Sequence, residues 1–375
     1  MSDMPRFVRA AAVAVGVLLI AAYSACAAGG ASPNDTARFL AGMPPGAESP
    51  LEPLGREPSW QQHAKHFDSA WSRLESQQLS KVRAWSRENL MERRPVMFYM
   101  FSGPDFLYAD AFFPNATTYV LSGLEPIGPV PDVTKLSRGS LPHALGHLRS
   151  SLNNVLNYSF FVTKDMGRKL HGGQLPGTLP ILYVFLARSG KTISDVSFVN
   201  VDKDGTLQPP GEAGSTATTP GVKIVFSGGG GGTQTLYYFR TDLSDGGVRN
   251  SGFLKFCERL GTGDSFVKSA SYLMHSDGFS KVRDFLLTRS ASIVQDDSGI
   301  PVRLFDPADW KVHPFGRYVG PISIFRNRHQ AKLRELFNNG TPNRLDFGIG
   351  YRWRAHESNL LLAVRRKSAM SAPGQ

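Results

Sequence analysis

The first 27 residues set the terms on which the rest of this chain must fold. Arg6 and Arg9 precede an apolar run over residues 10–22, and small residues follow at Ser24, Ala25, Cys26, Ala27 and Ala28. A charged start, a short apolar core and a small-residue exit make a bacterial-type secretory signal. The run is shorter than the roughly 20 residues a helix needs to cross a bilayer. Export usually brings disulfides, yet the chain has only two cysteines, Cys26 and Cys257, and signal processing parts them.

Two fates are open to Cys26. Tyr23-Ser24-Ala25-Cys26 resembles a lipoprotein signal, in which the cysteine is lipidated and becomes the new N-terminus, although Tyr23 stands where an aliphatic residue is usual. Cleavage after Ala25-Cys26-Ala27 would instead discard it. In both cases Cys257 has no partner, so the apolar core alone must hold the fold. The composition suffices: 41% of the 375 residues are hydrophobic and 19% charged. Cys257 sits among Phe253, Leu254, Phe256 and Leu260, which reads as a buried, inert thiol.

Residues 28–58 are rich in Pro, Gly, Ala and Ser and are expected to form a flexible tether after the signal at 1–27. Order is expected to start near Trp60, to fill 59–368 with one globular domain, and to end in a flexible tail at 369–375. Trp60, Ala64, Phe67, Trp71 and Leu74 recur at helical spacing, continued by Val82 and Trp85. After Pro95 the period changes. Residues 96–101, 117–121, 181–187, 193–201, 222–226 and 235–240 read as strands. A helix follows Ser140 as its cap, and two more are expected over 252–260 and 264–287. Leu345, Phe347, Ile349, Tyr351 and Trp353 alternate with polar residues and glycines, which predicts a terminal hairpin. These signals predict an α+β fold: a mixed, largely antiparallel sheet with flanking helices, in one large domain.

Several motifs invite a chemical reading and are better explained by structure. The five glycines at 228–232 lead into a strand without the Gly-Lys-Ser/Thr of a phosphate loop, so they predict a hairpin turn. Asp202-Lys203-Asp204-Gly205 lacks the later glycine and closing glutamate of a calcium loop and reads as a turn. His143 and His147 lie on the polar face of their helix, and the glutamate of a metalloprotease helix is replaced by Ala144. Gly263-Asp264-Ser265-Phe266 is placed wrongly for a serine esterase, so Asp264 is expected to cap a helix. Asp297-Ser298-Gly299 has no second copy to complete a carboxylate dyad and reads as a hairpin turn between residues 293–294 and 302–305. No metal or cofactor is expected.

The segment from Phe98 to Tyr119 stands apart. It holds eight aromatics, Phe98, Tyr99, Phe101, Phe106, Tyr108, Phe112, Phe113 and Tyr119, where an 11% aromatic content would place two or three. Its charges are Asp105 and Asp110 alone. The structural reading makes this part of the core, with Asp105 capping a short helix through Ala111. The functional reading makes it a cleft in which Tyr99, Phe106 and Tyr108 contact a sugar ring or apolar ligand, with carboxylates as polar handles.

From Ile300 onward 13 Lys and Arg face 5 Asp and Glu, which supplies +8 of the net +11. That excess reads first as a solvated face that aids solubility; as a partner surface in an exported protein it points away from nucleic acid, towards lipid headgroups, lipopolysaccharide and wall polymers. The sequence-level expectation is an exported protein, periplasmic or held to the membrane only by a lipid on Cys26, that binds a ligand or plays a structural part. The alternative is a hydrolase on an envelope glycan or other polymer, drawing on Asp105, Asp110, Asp297 and His275.

Overall fold

The computed structural model describes residues 30–159, 173–210, 219–228 and 231–367. The signal, Cys26 and the tail therefore lie outside the described residues. Order begins well before Trp60. Ser32 caps a first helix, α1 (Pro33–Leu40), by accepting the Asp35 amide at 3.0 Å, and Pro33 suits its first turn. Phe39, Leu40 and Leu51 are fully buried, and Trp60 donates its indole N–H to the Phe39 carbonyl at 3.0 Å. The expectation of a tether is thus corrected over residues 33–58. Its few apolar side chains are spent in the core, too sparsely spaced to show a period.

A short helix, α2 (Glu52–Gly55), leads into α3 (Pro58–Leu74), a π-helical turn (Glu75–Leu79) and α4 (Ser80–Asn89). The apolar stripe read from the sequence is the buried face: Trp60, Phe67, Leu74, Val82 and Trp85 all lie inside. The remaining helices among the described residues are α5 (Phe106–Phe112), α6 (Leu141–Tyr158), α7 (Leu179–Arg188), α8 (Asp245–Val248), α9 (Phe253–Arg259), α10 (Ser280–Arg289) and α11 (Ala331–Asn339).

One ten-stranded sheet organises them. Its strands are β1 (Val96–Tyr99), β2 (Thr118–Gly123), β3 (Thr192–Val201), β4 (Leu207–Gln208), β5 (Thr219–Ser227), β6 (Thr233–Arg240), β7 (Gly263–Val267), β8 (Ser290–Gln295), β9 (Trp310–Gly316) and β10 (Asn359–Arg365). Their order is β4-β3-β5-β6-β2-β1-β7-β8-β10-β9. The fold is α+β with a mixed sheet, and the two kinds of pairing are segregated. β6, β2, β1, β7 and β8 run parallel at the centre. Antiparallel pairs (β3–β4, β3–β5, β5–β6, β8–β10 and β9–β10) form the flanks. Alternate residues of β1 enter opposite cores: Met97 and Tyr99 one, Val96 and Phe98 the other. α1, α3 to α7 cover the first face and α8 to α10 the second.

Several local expectations are overturned. Residues 181–187 form α7, whose positions from Leu179 to Ala187 are all buried, so it shows no polar face from which a helical period could be read. Residues 264–287 open as β7, not as a helix; Asp264 is buried in the strand and accepts the Arg94 amide and the Ser292 hydroxyl, both at 2.7 Å. Asp297 to Gly299 close no hairpin, because β8 pairs with β7 and β10 while residues 302–304 form a 3-10 turn. Residues 345–353 form no hairpin: burial runs unbroken from Phe347 to Gly350, and a single isolated bridge joins Ile349 to Arg352. Ser140 does precede α6, but its hydroxyl turns back to the Ser137 carbonyl and leaves the helix without a side-chain cap.

Candidate functional site

Strand order places a cleft at the centre of the molecule. From β1 the chain steps to β2, goes out to β3 and β4, fills back through β5 to β6, and then crosses past β1 to add β7 and β8 on its other side. In a parallel sheet such a reversal parts the loops at the carboxyl ends of the strands and leaves a crevice where ligands bind. A cleft of about 170 Å³ lies there. Its walls come from the loops that follow β1, β2, β6 and β7: Phe101 and Gly103; Leu124 and Glu125; Asp242 and Leu243; Lys268 and Ser269.

The backbone around this crevice is unusual. Five non-glycine residues among those described have left-handed φ: Phe101, Ser159, Ser269, Ser271 and Tyr272. Four of them sit just past the ends of β1 and β7, and the fifth offers its carbonyl to Lys268. Each left-handed residue costs about 1 kcal/mol or more, and such costs persist where a site is held in place by its surroundings.

The floor is a closed ionic network. Asp105 caps α5 by accepting the Tyr108 amide at 3.2 Å, as expected for a short helix through Ala111. Its other oxygen takes the Tyr99 hydroxyl at 2.9 Å and the Lys268 ammonium at 2.7 Å. Lys268 also donates to the Ser159 carbonyl and lies 4.0 Å from the Tyr108 ring centre. Both side chains are 2% exposed. Burial pulls the lysine below its ordinary range, opposed by Asp105 and Asp296. The ammonium is held by a carboxylate, a carbonyl and an aromatic face, so this pair braces the cleft.

Glu125 has the opposite character. It follows β2 and is pressed between two glycines: a Cβ on Gly123 would come within 2.3 Å of its Oε2, and one on Gly103, at φ +55°, within 3.5 Å. Burial lifts its carboxyl above the usual range, partly offset by backbone amides and the Tyr238 hydroxyl, which reaches Oε2 at 3.4 Å. This is an under-solvated acceptor lining open space, and it prefers added donors. Asp242 supplies an exposed acceptor at the rim, while Phe101, Phe279, Leu124 and Leu243 offer apolar surface. Leu124 is 60% exposed.

The structure separates the residues singled out from the sequence. Tyr99 and Asp105 line the cleft. Phe106 and Tyr108 do not; both are fully buried, Phe106 edge-on to Tyr119 and Phe226, so their part as ligand contacts is corrected to core packing. Asp110 pairs with Lys191 at 2.7 Å elsewhere on α5. Asp297 is buried, accepting the Tyr272 hydroxyl at 2.6 Å and the Asn359 amide at 3.2 Å. His275 packs edge-on to Tyr272 in a different cavity, and burial and nearby arginines lower its pKa to about 4. The four proposed catalytic groups thus do not converge. Glu125 and Lys268 were missed. A strand followed by Ser-Gly-Leu-Glu was the available signal for Glu125. No group of three or more His, Cys, Asp or Glu suited to a metal occurs among the described residues. Nor does any described helix have the length and apolarity to cross a membrane. No family profile, curated protein or solved structure matches the chain.

Proposed function

We propose that this is an exported ligand-binding protein of the bacterial envelope, whose central cleft holds a ring compound with vicinal hydroxyls: a glycosyl or ribosyl group. The observation that carries this reading is Glu125, an under-solvated carboxylate at the end of the second strand beside the crevice. An acid there, about twenty residues past the glycine after the first strand, is where doubly wound sheets accept hydrogen bonds from a sugar's hydroxyl pair.

The cleft also argues against a phosphate in its usual place. A phosphate in such folds sits on the amino end of the helix after the first strand. Here Asp105 already occupies that end, and Pro104 contributes no N–H. With Asp105 balanced by Lys268, the remaining charges are the carboxylates Glu125 and Asp242. A neutral or cationic ligand fits and an anion does not. The hydrolase reading has less support, because Asp105 is locked in its ion pair and Asp110, Asp297 and His275 lie outside the cleft.

Saturation-transfer NMR on the full chain, with methyl glycosides and adenosine as separate probes, tests this. Transfer from either probe that disappears in Glu125→Gln supports the reading and names the ligand class. Transfer from neither, or transfer unchanged in Glu125→Gln, overturns it.

A further inference from the structure

A second cavity, of about 330 Å³, lies against the amino end of α11, and its lining contains no carboxylate. Arg303, Arg328, Lys332, His275 and His329 surround it. Among the described residues, none of the cations Arg303, Arg328 and Lys332 makes a salt bridge. The helix end facing them is uncapped. Gln330 precedes α11, but its side chain is committed to the Val302 amide and the Asp297 carbonyl, and no side chain caps the first turn. Ala331 and Lys332, whose amides belong to that turn, line the cavity. His275 adds a ring whose Nε2 is shielded from solvent and has no hydrogen-bond partner.

Cations without acids beside them and uncapped amides call for the same thing: a compact oxyanion with several acceptor atoms. We propose that this cavity is a binding site for a phosphate monoester or free phosphate, gripped by Arg303, Arg328 and Lys332 over the amino end of α11. Three such side chains and two histidines share one concave lining here without an acid, whereas Arg56, Lys135 and Arg344 pair with neighbouring acids. The positive field is felt by His275, for which Arg328 and Arg303 are the largest influences after burial. Ile324, 73% exposed on the same segment as Arg328, offers an apolar side chain to an acyl chain if the phosphate belongs to a lipid.

The test is calorimetric titration of the full chain with inorganic phosphate, against sodium chloride at matched ionic strength. Saturable binding in phosphate alone is expected, weakened at least about tenfold in Arg328→Gln and in Lys332→Gln, since each removes a charge-assisted hydrogen bond. Arg303 and Lys332 are exposed, so Arg303→Gln and Lys332→Gln keep the test alive if Arg328→Gln fails to fold. NMR should show the His275 pKa rising on phosphate addition. Vesicles of phosphatidylcholine with and without phosphatidic acid separate the sources. Vesicle binding that needs phosphatidic acid and weakens in Ile324→Ser assigns a lipid headgroup; phosphate binding without it assigns a soluble ester. No saturable binding of either probe, equal heats in chloride, or binding unchanged in Arg303→Gln and Lys332→Gln overturns the proposal.

Discussion

The central cleft and the cavity beside α11 each take a residue from the turn Leu273–His275, yet they manage charge in opposite ways. At the floor of the cleft the charges are buried and matched: Lys268 and Asp105 hold each other at 2.7 Å with almost no exposure. In the cavity, cations are left at the surface without acids. The first arrangement spends its electrostatics on building a rigid frame. The second leaves its charge accessible, as the proposed anion site requires. The difference is thermodynamic, because a buried charge stripped of its partner is heavily penalised while an exposed cation is not.

That contrast can be broken most forcefully at the buried pair. Asp105→Asn leaves Lys268 uncompensated in the interior and should cost about 3–5 kcal/mol, measured by urea unfolding. A loss below about 1 kcal/mol would mean the pair is solvated and the frame is not rigid. Next comes the buried acid behind the cleft. Asp296 accepts the Ser269 amide at 3.0 Å, and burial and the adjacent Asp297 push it from 3.8 up to about 7. A raised folded-state pKa favours the protonated form, so its stabilisation is present at low pH and lost as pH climbs through that window. The melting temperature of Asp296→Asn relative to wild type should therefore rise with pH across it. A constant difference would show that Asp296 titrates normally.

Smaller effects sharpen the same comparison. Glu125 is held above its ordinary range and should bind hydroxyl donors best when ionised, so affinity for the cleft ligand should increase with pH, with proton release on binding. Calorimetry in buffers of different ionisation enthalpy measures this, and proton uptake would contradict it. Least affected should be Lys332→Gln, expected to change stability by no more than about 0.5 kcal/mol in the absence of phosphate. A large loss on thermal unfolding would make Lys332 a structural residue.

Much of this could be read from the chain before folding. Helical spacing located α3, α4 and α6, and β1, β2, β3, β5 and β6 fell close to where apolar runs met turn residues. Asp105 announced itself as a cap. The parallel centre was hidden because α5 is a crossover of only seven residues, all buried, and so looks like an aromatic loop. α7 was hidden by the same completeness of burial. Asp264 looked like a cap because an acid beside a glycine usually lies at a chain reversal, whereas its two hydrogen bonds hold it inside a strand. Lys268 could not have been found: its role depends on Asp105, which lies more than 160 positions earlier and meets it only across adjacent strands.

The early start of α1 has a geometric consequence for any anchor. At most about 25 Å of extended chain separates Cys26 from Pro33. Helix α1 is stitched to β3, where Asn34 accepts the Ile193 amide at 3.1 Å. That places one edge of the sheet within a short leash of the bilayer if Cys26 carries lipid. The cavity beside α11 belongs to the other edge, since Tyr318, Leu333 and Phe337 pack on Leu361 of β10. Seven inter-strand spacings of about 4.8 Å, from β3 to β10, separate the two by roughly 34 Å. A protein acylated there would reach a headgroup of its anchoring membrane only by lying flat along it; standing upright, it would present the cavity away from that membrane.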